Sequence, residues 1–213
     1  MPSDISPSSD PAPEELSAAD GRFLDETFPN IARSMGADAV RRLRERTCAG
    51  DMAAGPTAAG YTSWVADAQV AVTDQAVARQ VAQNIKTQAE QQGWTTAADP
   101  EELDADGNFS GTRLLGGKHK ERDLVMTVLL DEDHDGALTV TTLIRGVCRH
   151  MPDGHKMVHS TLDPEYGGNV GGGYVETDDI EDYTGRAKPL PESTQNPPPT
   201  GPDGATPVGT IGQ

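Results

Sequence analysis

The chain has 213 residues, a net charge of −17, 23 glycines and 16 prolines. Leu, Ile, Val and Phe together supply only about 17% of it, and so few large apolar side chains beside such a charge imbalance indicate one domain of ordinary size with disordered flanks. No apolar run approaches the roughly 20 residues of a membrane helix, which excludes an integral membrane protein, and the acidic balance argues against nucleic acid, whose binding needs basic surface.

Residues 1–15 are rich in Ser, Pro and Asp and read as a flexible tether. They have neither the basic start nor the apolar stretch of a secretory signal. Residues 16–60 read as a helical segment and linker. Ser17 is placed to cap a helix through Phe28, which Pro29 would stop. A second helix is expected from Ala37 to Cys48, carrying Arg41, Arg42, Arg44 and Arg46, the dense basic cluster of the chain. Such a run is more often a solvated face paired with local acids than a surface for a membrane or partner. Gly50, Gly55, Pro56 and Gly60 mark the linker.

Residues 61–167 carry the clearest patterns. Ala66, Ala68, Val70 and Val72 alternate with polar neighbours, as in a half-buried strand. Thr73 is then a candidate N-cap, with Asp74 in the first turn. Val77, Val81, Ile85 and Ala89 form one stripe of an amphipathic helix. Gly93 suits its C-terminus, and Trp94 is placed to pack back on it. Short strands over 94–96 and 112–115 flank an acidic loop. The best strands are 123–130 and 137–147, joined through Asp135-Gly136, which is good turn chemistry. Leu124, Met126, Val128 and Leu130 share one face of the first; Leu138, Val140, Thr142 and Ile144 share one face of the second. The sum is a two-layer α+β fold: an amphipathic helix packed on an antiparallel sheet, preceded by an N-terminal helical segment. Residues 168–213, Gly/Pro-rich and acidic, read as a disordered tail.

Cys48 and Cys148 are the two cysteines. They form no CxxC pair, and a single disulfide in an oxidising compartment fits them better than two separate thiols in a cytosolic protein. Closing a loop of about 100 residues stabilises by roughly 4.7 kcal/mol in the chain-entropy picture.

Asp131, Asp133 and Asp135, followed by Gly136, match the first half of an EF-hand calcium loop. The twelfth position is Thr142 rather than the bidentate Glu, and the flanks read as strands, so a solvated acidic turn is the plainer reading. Asp104, Asp106 and Asn108 form a weaker version. His150, His155 and His159 lie near Met151 and Met157, a soft donor set suited to copper or zinc, but Pro152-Asp153-Gly154 reads as a turn in a polar loop. The glycines of 167–173 precede no helix that would bind phosphate. GxSxG, HExxH and GxxxxGK are all missing from the sequence. No catalytic residues are assigned, and no cofactor beyond the possible calcium.

The Ser/Pro/Asp tether, the helix ending in Gly93-Trp94, the strand pair and Cys148 just after the last strand resemble the mature domains of small actinobacterial cell-envelope lipoproteins. The resemblance covers about residues 60–150. It implies an extracytoplasmic domain held to the membrane by a lipid, with Met1 standing where a removed signal and its lipid-bearing cysteine would be. The chain departs from that pattern in lacking the lipid-bearing cysteine and in its long tail. The expected function is a non-enzymatic envelope protein that binds another protein or scaffolds a membrane complex. Two alternatives are an extracellular calcium or small-ligand module centred on Asp131, Asp133 and Asp135, and an acidic inhibitor, cytosolic or phage-encoded, that mimics an anionic ligand.

Overall fold

Pro13 opens helix α1 (Pro13–Ser34), where its missing N–H and fixed φ cost nothing. Glu14 and Glu15 lie in the first turn, against the positive end of the helix dipole. In this computed structural model, residues 11–48, 60–98, 112–132, 134–166, 174–175 and 190 are described. Most of the expected tether and tail lies outside them. The helix does not stop at Pro29 but runs through it. An interior proline costs about 3 kcal/mol, and here Leu24, Phe28, Ile31 and Ala32, all buried on one face, offset it by packing on the sheet.

The second predicted helix is a strand. β1 (Arg42–Thr47) pairs antiparallel with β2 (Tyr61–Val72), Leu43 opposite Ala66 and Glu45 opposite Trp64. Arg, Leu and Glu are good helix formers, yet Arg42, Arg44 and Arg46 alternate with Leu43 and Glu45, and burial of Leu43 and Glu45 on one face decides for period two. After β2, helix α2 (Gln75–Gln91) begins one residue later than the sequence indicates: Asp74, not Thr73, is the N-cap and accepts from the Val77 N–H at 2.9 Å. Val81, Ile85 and Ala89 face the core with Ala78 and Ala82, whereas Val77 is exposed. Gly93, at φ +89°, ends the helix as expected, and Trp94 is buried.

The remaining strands are β3 (Trp94–Ala98), β4 (Thr112–His119), β5 (Leu124–Glu132), β6 (Leu138–Gly146), β7 (Arg149–His150), β8 (Met157–Val158) and β9 (Tyr174–Val175). β1-β2-β6-β5-β4-β3 is the order of the main antiparallel sheet, with β7 also on β2. β9 pairs parallel with β8, a short ordered pairing inside the stretch expected to be tail. Both helices lie on one face of the sheet, over Trp64, Ala66, Ala68, Leu124, Met126, Val128, Leu130, Val140 and Ile144. The fold is α+β in two layers, and no described helix covers the other face of the sheet.

Cys48 and Cys148 are joined, with 6.2 Å between their Cα atoms. Cys48 follows β1 and Cys148 precedes β7, and both strands flank the start of β2. The bridge thus straddles β2 and pins the edge strand. None of the described helices is long and apolar enough to cross a membrane.

Candidate binding site

Asp131 is the penultimate residue of β5 and Asp135 is exposed in the β5–β6 turn beside His134; Asp133 lies outside the described residues. Among the described residues no group of His, Cys, Asp and Glu is arranged to hold a metal ion. The three histidines of the 150–159 stretch go separate ways. His150 packs edge-on against Tyr61, His155 meets Glu45, and His159 bridges to Arg44 across the β1 edge. The arginine cluster sits on a strand and is largely spent on acids of the chain. Arg42 pairs with Asp67, Arg41 reaches Gln69 and Asp67, and Arg44 pairs with buried Asp163 and with Glu165. Arg44 holds the Glu165 carboxyl below its ordinary range.

Glu45 is the main buried polar centre the sequence did not signal. Its carboxylate, 1% exposed, accepts from Ser17 Oγ of α1 at 3.0 Å, Thr62 of β2, His155 Nε2 at 3.0 Å and the Val158 N–H at 3.3 Å. Trp64 Nε1 in turn donates to Ser17 Oγ at 3.0 Å. A serine, a histidine and a glutamate meet here, but the glutamate stands in the middle. The hydroxyl and the imidazole bond to opposite oxygens of one carboxylate and not to each other, so the imidazole is not placed to take the serine proton as in a Ser-His-acid triad. The arrangement clamps residues 155–158 to α1 and the β1–β2 hairpin.

A larger concavity lies elsewhere, at the end of the sheet where β4 turns into β5. It encloses about 710 Å³ between the N-terminal half of α1, the β4–β5 turn and the end of β6. Lys118, Lys120, Arg122, Arg145 and Arg149 line it, against Asp20, Glu121 and Asp123. Asp20, 3% exposed, takes Arg149 at 2.7 Å and Arg122 at 3.3 Å, and Arg122 also lies over the Phe23 ring. These two arginines are the structural frame. Lys118 and Lys120 are exposed and pair with no carboxylate among the described residues. Among the described residues, three of the four exposed large apolar side chains, Leu16, Val125 and Val147, line the same cleft.

Register explains the grouping. Lys118 of β4 stands directly opposite Val125 of β5, which stands opposite Arg145 of β6. Directly opposed residues share a face, and the neighbours Leu124, Met126 and Ile144 point into the core. Lys118, Val125 and Arg145 therefore form one row on the helix-free face, with the two cations about 10 Å apart by strand spacing. A second concavity of about 490 Å³ continues from this row over Thr95, Ala97, Gly116 and Thr127. His119, in the wall, donates from Nε2 to the Gln92 carbonyl at 3.1 Å and accepts the Glu121 N–H at Nδ1. Burial, with Arg122 nearby, holds its pKa below the ordinary value, so the wall imidazole favours its neutral form.

No protein-family model, curated protein or solved structure matches the chain.

Proposed function

We propose that the chain is a non-enzymatic, extracytoplasmic binding domain that attaches to a protein partner through the cleft at the β4–β5 end of its sheet. The observation that supports this reading is a cationic, partly apolar concavity on a chain whose net charge is −17. Exposed aliphatics gathered in one concavity, beside lysines that pair with no carboxylate among the described residues, mark an interaction surface. The Cys48–Cys148 bridge fits an oxidising compartment, and the resemblance to envelope lipoproteins adds a lipid tether to the membrane. The buried Ser17–Glu45–His155 cluster is spent on structure, in keeping with a domain that binds rather than transforms. Calcium at Asp131, Asp133 and Asp135 is the lesser reading, because the bidentate twelfth ligand is missing.

The test is purification of the native, tethered protein after reversible cross-linking in its own membrane. A partner should be recovered with the unaltered chain and with Lys86→Glu on α2, and lost with Lys118→Glu/Lys120→Glu. Recovery of the chain alone, or of a partner indifferent to the cleft lysines, would count against the reading.

A further inference from the structure

The geometry points to a site for a soft monovalent metal ion, cuprous copper, held by the imidazole of His150 and the thioethers of Met151 and Met157. It goes beyond the binding reading above and does not rest on it. The three residues line a concavity of about 330 Å³ between the end of β1, the start of β2 and the loop that follows β7. None of the lining residues belongs to the basic cleft.

Local structure gathers the donors. Pro152 to His155 form a turn in which the His155 N–H donates to the Pro152 carbonyl at 3.1 Å and Gly154 has φ +84°. The turn doubles the chain back, so that Met157 returns to the concavity that Met151 lines. In β8, Val158 packs against the core and borders a different concavity, with Glu45 and Trp64. Alternation along the strand sends Met157 to the other side. The Met151 N–H donates to the Gly60 carbonyl at 2.8 Å, and His150 stands opposite Tyr61 in register. The point where a Cβ on Gly60 would lie is 3.7 Å from His150 Nε2 and 4.0 Å from the Met151 carbonyl oxygen. His150 therefore turns Nε2 toward the Gly60 wall of the concavity.

The donors are soft and are not spent on the fold. Met151 is 2% exposed yet lies outside the main core cluster, and so does half-buried Met157. His150 packs edge-on against Tyr61 and makes no hydrogen bond or ion pair among the described residues. Soft thioethers beside an imidazole suit Cu(I). Calcium and magnesium need a cage of oxygens, and Asp153 is the single carboxylate among the described lining residues. Zinc takes thiolate, imidazole and carboxylate. Both thiols are in the Cys48–Cys148 bridge, and His155 is held by Glu45 at 3.0 Å. A site whose sulfur comes from methionine is compatible with there being no group of His, Cys, Asp and Glu arranged around a metal among the described residues. Methionine has three rotatable bonds, which lets two thioethers close on an ion.

The experiment is an anaerobic titration of the full chain with Cu(I) against a chromophoric Cu(I) chelator, with silver(I) followed by calorimetry as the redox-inert counterpart. One equivalent of either ion should bind, and X-ray absorption should show two sulfurs and one nitrogen around the copper. Met151→Leu/Met157→Leu, which conserves side-chain volume, should weaken binding at least about tenfold, and so should His150→Gln. Met35→Leu, at a methionine of the core, should leave it unchanged. Zinc and calcium at the same concentrations should give no saturable heat. Thiol titration before and after each run shows that the disulfide is intact and that no cysteine supplies the sulfur. Circular dichroism reports folding, and if the double methionine variant does not fold, His150→Gln at an exposed ring decides. Absence of Cu(I) and silver(I) binding at micromolar protein, an affinity indifferent to these three residues, or a first shell without sulfur overturns the inference. Tighter binding of zinc overturns it as well. Capture of the cross-linked partner is read separately, so either proposal can fail alone.

Discussion

Gly21 in the middle of α1 is a position where two opposite expectations can be set against each other. Replacing an interior helical glycine by alanine ordinarily stabilises by about 1 kcal/mol, because glycine loses the most backbone freedom. Here a Cβ would fall 2.3 Å from Trp64 Cζ2, 2.7 Å from Cε2 and 2.9 Å from Cη2. Trp64 is 4% exposed and its Nε1 is tied to Ser17, which is tied to Glu45, so the ring cannot swing away freely. Overpacking of this kind costs about 1–3 kcal/mol, and a strained Trp64–Ser17 hydrogen bond adds about 1 kcal/mol. The cost exceeds the propensity gain, and Gly21→Ala should destabilise by about 2 kcal/mol. For a domain of this size that lowers Tm by about 4–8 °C. Differential scanning calorimetry reads it. The same substitution made on a Trp64→Leu background meets no indole and should be neutral or stabilising, a coupling of about 2 kcal/mol. A rise in Tm for Gly21→Ala in the otherwise unaltered chain would refute the packing of α1 on β2.

Other outcomes follow from the same contacts. Cys48→Ser/Cys148→Ser opens a closed loop of about 100 residues and should cost up to about 4.7 kcal/mol, seen as a lower urea midpoint with little change in helix content. Glu45→Ala leaves four donors, two of them fully buried, without their acceptor and should cost about 3 kcal/mol; hydrogen exchange at Val158 and tryptic cleavage after Lys156 should both accelerate, and unchanged protection there would contradict the clamp. His119 and His159 both have pKa values held below 6.5, chiefly by burial. Their protons therefore bind the unfolded chain more tightly, and this share of stability is present above about pH 6.5 and lost as pH falls through the depressed values. The opposite contribution of Asp25, whose burial raises its pKa, starts at 3.8 and works upward from there. Tm should accordingly drop between about pH 7.5 and about pH 5.5, less so in His119→Gln, and a flat profile would count against the neutral wall imidazole.

How far the sequence carried depends on whether each signal was local. The α2 stripe from Val81 on, the faces of β5 and β6, the Gly93 C-cap and the cysteine pair are each set by spacing within one element, or by counting, and the structure has them, Val77 alone of the stripe being exposed. β1 was misread because Arg42–Thr47 is made of helix-forming residues, and its period-two alternation outweighs propensity only once β2 is beside it. Pro29 was misread because the burial that offsets it comes from the sheet, not from α1. Glu45 carried no signal at all, since its four partners come from α1, β2, the loop after β7 and β8. The binding row was equally hidden. Lys118, Val125 and Arg145 come from three strands and meet only through register, although Val125, an apolar residue between inward-facing Leu124 and Met126, was a legible hint.

The central claim, that a partner seats on the basic row of the open sheet face, is tested most directly by a photo-cross-linking amino acid placed at Val125, 47% exposed in the cleft, and at Val77, 40% exposed on α2. Illumination in the native host should give an adduct from Val125 and none from Val77. An adduct from Val77 alone, or silence at Val125, would contradict the account.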